Sequence, residues 1–251
     1  MRSIYLLLCV LIATTVIAQT TEGTIYYTES IKLDIELPED QEHLRALIPA
    51  TSDQSKALYF TKDLSMYKNL SSEDDVKEIN QESGGTQMQI KIASGSAENH
   101  LLKNFADQTM IDQRDFLGKK FLIDGTIPEM KWKITGEQKK VLKYTCMKAT
   151  QMKDSTEIIA WFTPQIPLPN GPDTYGQLPG LILEVSMEDS KRTITATKIE
   201  VGAFDASVLE TPKKGKKVTR AAFKKITAEK LKEMGSNNGR TIIRMEVDDR
   251  G

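Results

Sequence analysis

Residues 161–184, WFTPQIPLPNGPDTYGQLPGLILE, constrain the fold more than any other stretch. They hold five of the nine prolines and one of the two tryptophans. Apolar segments flank the prolines, 158–162 before and 181–185 after, and each reads as a strand. Proline fixes φ and removes a backbone donor, so what joins these strands is a long, stiff loop. The chain is organised around that loop.

The rest of the chain reads mainly as strand. In GTIYYTESIKLDI (23–35), Ile25, Tyr27, Ile31, Leu33 and Ile35 share one parity, with Glu29 as the exception. Such period-two alternation marks a strand with one wet face. Segments 56–61 and 64–70 read as a hairpin turning near Lys62 and Asp63. Residues 71–85 are polar and acidic and read as a mobile loop, followed by a strand through Met88, Ile90 and Ile92. Further strands are expected at 99–106, 109–115, 119–124, 131–135, 139–150, 157–163, 181–187 and 193–201, as in an antiparallel meander. Pro38 and the acids after it suit a short helix start. From Pro212 the character changes. PKKGKK reads as a basic linker, and Thr219 can cap a helix from Arg220 to Met234 that ends at Gly235. A polar tail follows, with one expected strand at 241–247.

The first residues read as an export signal. Arg2 precedes an apolar run, and Val16 and Ala18 suit the positions before a cleavage site, which predicts a mature start at Gln19. Cys9 follows Leu8 in mid-run, where a lipid anchor is not expected. The division expected is thus 1–18 signal, 19–211 β-rich domain and 212–251 basic linker, helix and tail. The product would be periplasmic or otherwise exported, and soluble after cleavage. Lys and Arg (34) nearly balance Asp and Glu (35), so nothing demands nucleic acid as a partner.

Few residues point to chemistry. Cys146 has no second mature cysteine to pair with, and it lies in an apolar-rich segment as a small buried hydrophobe would. As a nucleophile it would need a base, and the two histidines, His43 and His100, show no catalytic placement. The same scarcity of histidine and cysteine argues against a zinc site. No catalytic residue, metal ligand or cofactor is assigned. Leu178, Pro179 and Gly180 carry type II turn chemistry and read as scaffold. Trp161, Gln165, Ile166, Pro167, Asn170, Asp173 and Tyr175 read instead as a surface for a ligand or partner. Long ordered loops without regular structure are uncommon unless used, and preset proline angles lower the entropy lost on binding.

The same residues carry a resemblance. The chain resembles the GLPGLI family of exported Bacteroidetes proteins. The motif stands at 178–182 as Leu-Pro-Gly-Leu-Ile, with Gln177 in place of the first glycine. Trp132, Ile134, Glu137, Tyr144, Cys146, the run 160–163, Ile166-Pro167, Gly171-Pro172 and Tyr175 match in order upstream. The resemblance implies an exported protein and no particular activity.

The expected fold is mainly β: a large curved antiparallel sheet or open half-barrel with a C-terminal helix. Two functions fit it. One is a binding module that engages an outer-membrane protein, peptide or lipid through loop 164–180. The other is a hydrolase or transferase whose carboxylates are assembled by the fold, with Glu137, Asp173 and Glu184 the acids nearest the motif.

Overall fold

The structure, a computed structural model, describes residues 22–33, 49–70, 76–83, 86–93, 98–153, 155–187 and 190–235. The export signal with Cys9, the short helix at Pro38, His43 and the strand at 241–247 lie outside the described residues.

The strands in chain order are β1 (Gly23–Lys32), β2 (Thr51–Phe60), β3 (Leu64–Asn69), β4 (Val76–Ser83), β5 (Thr86–Ala93), β6 (His100–Asn104) and β7 (Thr109–Phe116). They continue as β8 (Lys119–Thr126), β9 (Lys133–Val141), β10 (Tyr144–Lys153), β11 (Thr156–Thr163), β12 (Leu181–Met187), β13 (Arg192–Val201) and β14 (Lys216–Val218). Helix α1 spans Arg220–Gly235. Twelve strands form one open sheet in the order β14-β8-β7-β6-β3-β2-β1-β13-β12-β11-β10-β9. β4 and β5 pair with each other as a separate ribbon. The fold is the expected one: a large, mainly antiparallel sheet that stays open, with one helix near the C-terminus.

β1 sits in mid-sheet because it pairs along its whole length with β2 and with β13. Its alternation is the one expected: Ile25, Tyr27 and Ile31 are buried on one face. Glu29, the exception in the pattern, is buried on that same inner face. Hydrophobic residues from β1, β2, β3, β6 and β10 to β13 make the main core, and Ile166, Tyr175 and Leu178 of the loop complete it. Phe223 of α1 packs edge-on against Phe121 and Phe116 of β8 and β7, at ring centroid distances of 5.3 and 6.3 Å. The Thr219 hydroxyl accepts from the Ala222 amide at 3.1 Å, the cap expected for this helix.

Three expectations change. Residues 139–150 are not one strand: β9 and β10 meet at a two-residue turn, Leu142-Lys143, with Leu142 at φ +53°. No glycine or asparagine marks that turn, so the pattern reads straight through it. The acidic stretch 71–85 contains strand β4, whose polar composition hides the pairing it makes with β5. The basic linker contributes β14, which adds parallel to the edge strand β8. A Cβ on Gly215 would lie 2.9 Å from the carbonyl carbons of Lys120 and Phe121, so glycine permits this approach.

Candidate functional site

The loop between β11 and β12 folds back over the inner face of the sheet. Short local bonds shape it: Leu168 N to Ile166 O (2.8 Å), Asn170 N to Leu168 O (2.8 Å) and Tyr175 N to Pro172 O (3.1 Å). Asn170 and Gly176 bridge across its narrow neck. Two bonds tie it to the strand that follows, Leu181 N to Ile166 O and Ile182 N to Asn170 O, both 3.0 Å. The alternation of prolines with Ile166, Leu168 and Asn170 sends every second side chain inward, while Pro164, Pro167, Pro169 and Pro179 stay exposed.

The turn into β12 is tighter than a type II turn. Gly180 N donates to Leu178 O at 2.7 Å, a three-residue turn centred on Pro179, and Gly180 has φ +156°. A Cβ on Gly180 would lie 2.2 Å from Thr163 O, so close backbone approach is what selects glycine here. Gln177 lies at φ +64°, a conformation that favours glycine. Its side chain offsets that cost by spanning to residues 128–130. Nε2 donates to Pro128 O at 2.8 Å, and Oε1 accepts from Met130 N at 3.0 Å.

The residues expected at a recognition surface divide into two groups. Gln165 and Pro167 are exposed, and Trp161 is half-buried on the outer face with Lys139 Nζ 4.5 Å from its ring centre. Ile166, Asn170, Asp173 and Tyr175 are buried instead. Asp173, only 1% exposed, accepts through Oδ2 from an Arg192 guanidinium nitrogen at 3.2 Å. Arg192 Nε donates to Glu29 Oε1 at 2.5 Å, and Lys56 Nζ meets Glu29 Oε2 at 2.6 Å. A buried chain of alternating charge, Lys56–Glu29–Arg192–Asp173, therefore links the middle of the sheet to the tip of the loop. Burial alone would raise the Glu29 carboxyl, but Lys56 and Arg192 outweigh it and hold it at about 2.

A second buried cation lies beside this chain. Lys103 on β6 is 1% exposed. Its Nζ donates to Asn170 Oδ1 (3.0 Å), Tyr175 O (3.1 Å) and Gly171 O (3.5 Å). Gly171 N also donates to Asn170 Oδ1, at 2.8 Å. Two donors on one atom identify it as the amide oxygen and turn Nδ2 to the other side. Nδ2 is buried and has no hydrogen-bond partner among the described residues. A cleft of about 200 Å³ lies beside Lys103 and Asn170. Phe105, Ile127, Leu168 and Tyr175 supply its apolar walls, Lys103 and Asn170 polar groups, and Lys62, Gln108 and Gln177 also line it. Trp132 stands behind the cleft, its Nε1 donating to Gly176 O at 2.9 Å and its ring 6.5 Å from that of Tyr175.

Glu29, Lys56, Lys103 and Arg192 were not singled out from the sequence, although a signal existed. Each stands at the parity of its strand's core residues, beside Tyr27, Leu58, Leu101 and Ile194. The three acids named for an enzyme do not converge. Glu184 pairs with Lys139 and Glu137 with Lys148, both on the outer face, whereas Asp173 lies under the loop. Cys146 is buried, and burial pushes its thiol up to about 11. Among the described residues no group of three His, Cys, Asp or Glu side chains is placed to hold a metal. No helix among them is long and apolar enough to cross a membrane.

Comparison with known proteins adds a family. The family described as "N-glycanase peptide, N-terminal domain" matches residues 87–234, over half of the chain. Two solved structures of PNGF-II, in different crystal forms, share the fold. One is 16% identical with a TM-score of 0.54, over 82% of this chain and 33% of its own. The other is 15% identical with a TM-score of 0.55, over 83% of this chain and 33% of its own. The chain thus spans about a third of the length of the structures it matches. No curated protein matches it in sequence.

Proposed function

The chain belongs to the "N-glycanase peptide, N-terminal domain" family, and on that premise we propose that it is an exported binding module without catalysis of its own. It holds an extended peptide segment of an outer-membrane or other exported partner in the cleft beneath the proline-rich loop. The observation that carries this is the cleft itself. A slot of about 200 Å³ is walled by Phe105, Ile127, Leu168 and Tyr175, with Lys103, Asn170, Gln108 and Gln177 as its polar groups. Ligand sites are concave and mostly apolar with a few polar groups, and this slot has that make-up. The separation of Glu137, Asp173 and Glu184, each against a cation, supports binding over hydrolysis or group transfer. The likeness of the 177–182 motif to GLPGLI proteins extends the proposal: their shared turn would set the same loop over the same sheet.

Photo-crosslinking side chains placed in the native compartment test this reading. Positions 108 and 177 lie at the cleft, and position 197 is exposed on β13. Peptide adducts of one exported partner are expected from the first two and not the third. Equal capture from all three positions, or lipid adducts alone, would overturn it. An N-glycan-cleaving activity of the purified chain would replace it with the enzymatic reading.

A further inference from the structure

We propose that the edge of the sheet formed by β14 and the start of β8 is a docking surface for an anionic phospholipid bilayer, separate from the cleft. From Thr211 to Ala228 the chain carries six lysines, one arginine and no aspartate or glutamate. Arg220 is half-buried, its guanidinium 3.2 Å from the Asp112 carboxylate. Lys213, Lys214, Lys216 and Lys217 are exposed, and none of the four makes an ion pair with a described residue.

Fixed structure presents these charges. β14 lies in register with β8, Lys216 beside Phe121 and Lys217 beside Leu122. Gly215 lets the backbones close in, Val218 packs against the Phe116, Phe121 and Phe223 cluster, and Thr219 caps α1 directly after it. β8 brings Lys119 and Lys120 to the same edge. Three acids lie nearby: Glu98 pairs with Lys120, Asp115 accepts from the Gly118 amide, and Glu210 lines a polar cleft with Lys213 and Lys214. A lysine commonly guards an edge strand against pairing. Lys213 and Lys214 precede β14, so that role does not account for them.

Residue type chooses the occupant. The formal net charge of the chain is −1, so attraction to an anionic surface comes from where the cations gather. Protein interfaces favour arginine over lysine, because a lysine ammonium is a flexible point charge with no fork to fit one carboxylate. Such charges suit a plane of many phosphates, which asks for no fixed geometry. Alternation sends Lys216 and Lys217 to opposite faces of β14, so the charge wraps a ridge. β8 then runs from Lys119 to Thr126, roughly 25 Å, and the cleft begins beyond its far end at Ile127. Docking by the basic edge leaves the cleft open to its own partner.

Flotation of the full chain with vesicles tests this, with pure phosphatidylcholine vesicles as the baseline. Vesicles of one part phosphatidylglycerol to two parts phosphatidylcholine should carry the chain at about 0.1 M salt and release it at about 1 M, where the screening length falls to about 3 Å. Replacing Lys213, Lys214, Lys216 and Lys217 together by glutamine should cut partitioning by about a hundredfold or more, at about fivefold per lysine, while the melting temperature holds. Glutamine at Lys133, Lys140, Lys143 and Lys198 removes the same charge from exposed positions elsewhere and should leave binding near wild type. Lys213→Glu with Lys214→Glu, both outside β14, should abolish binding without touching the strand. No binding to the anionic vesicles, equal loss from both glutamine sets, or binding that survives 1 M salt overturns the bilayer surface. Binding to polyglutamate but not to the anionic vesicles also overturns it, and assigns the edge to an acidic protein.

Discussion

Glu29 on β1 and Arg192 on β13 meet at 2.5 Å inside the sheet, 163 residues apart in sequence. Arg192 hands the contact on to Asp173, so the proline-rich loop is held by an ion chain rooted in the centre of the fold.

That chain makes stability depend on acid. The Glu29 carboxyl lies at about 2 in the folded protein against an ordinary value of 4.5. Its folded value is depressed, so its contribution is complete above 4.5 and is lost as pH falls towards 2. Urea midpoints measured from pH 6 to pH 2 should fall within that window, by a free energy on the order of a few kcal/mol. Glu29→Gln should flatten this part of the curve. An unchanged slope in that variant would place the acid sensitivity elsewhere.

Asp173→Ala should destabilise the domain by about 3 kcal/mol, because it leaves the buried Arg192 with one carboxylate in place of two. For a domain of this size that lowers the melting temperature by roughly 6–12 °C. This reverses what an exposed recognition loop would imply, where the substitution would be silent. A wild-type melt for Asp173→Ala would refute the buried ion chain.

Gly180→Val meets the Thr163 carbonyl oxygen at 2.2 Å from its Cβ, and backbone cannot step aside as a side chain can. The expected loss is about 3 kcal/mol. Gly180→Ala carries the same Cβ and should fall near it. If alanine is tolerated and valine is not, bulk rather than backbone approach explains the glycine.

Gln177 separates strain from bonding. Gln177→Ala keeps the φ of +64° and loses both bonds to Pro128 and Met130, which should cost about 1–2 kcal/mol. Gln177→Gly loses the bonds but relieves a backbone cost of about 1 kcal/mol, so it should melt above the alanine variant. The reverse order in differential scanning calorimetry would show that glycine relieves no strain at this φ, and a wild-type melt for Gln177→Ala would show that the side-chain bonds contribute nothing.

Phe223→Ala should release α1 from β7 and β8, at a cost of about 3 kcal/mol, since its ring fills the space between Phe116 and Phe121. Amide hydrogen exchange should quicken in 220–230 and stay slow in β1. Uniformly faster exchange would mean that the helix is integral to the main core.

Local patterning determined the strand content, because alternation is written in adjacent residues. Ile25, Tyr27 and Ile31 announce β1 without any knowledge of its partners. The Thr219 cap is equally local, since it depends on hydrogen bonding within one turn, whereas the glycine at 180 is selected by the Thr163 carbonyl from the far side of the loop. The sequence also marked the loop 164–180 as the centre of the molecule. Which way that loop faces was decided only by tertiary structure. Asn170, Asp173 and Tyr175 are polar enough to read as surface, and their burial depends on Lys103 and Arg192, which arrive from distant strands. Glu29, like Lys56, Lys103 and Arg192, carried a hint, a charge at a core parity, and its neighbours Lys56 and Arg192 across the sheet make that position tolerable. Charge is buried when partners converge, and convergence is a property of the register between strands, which no single segment contains.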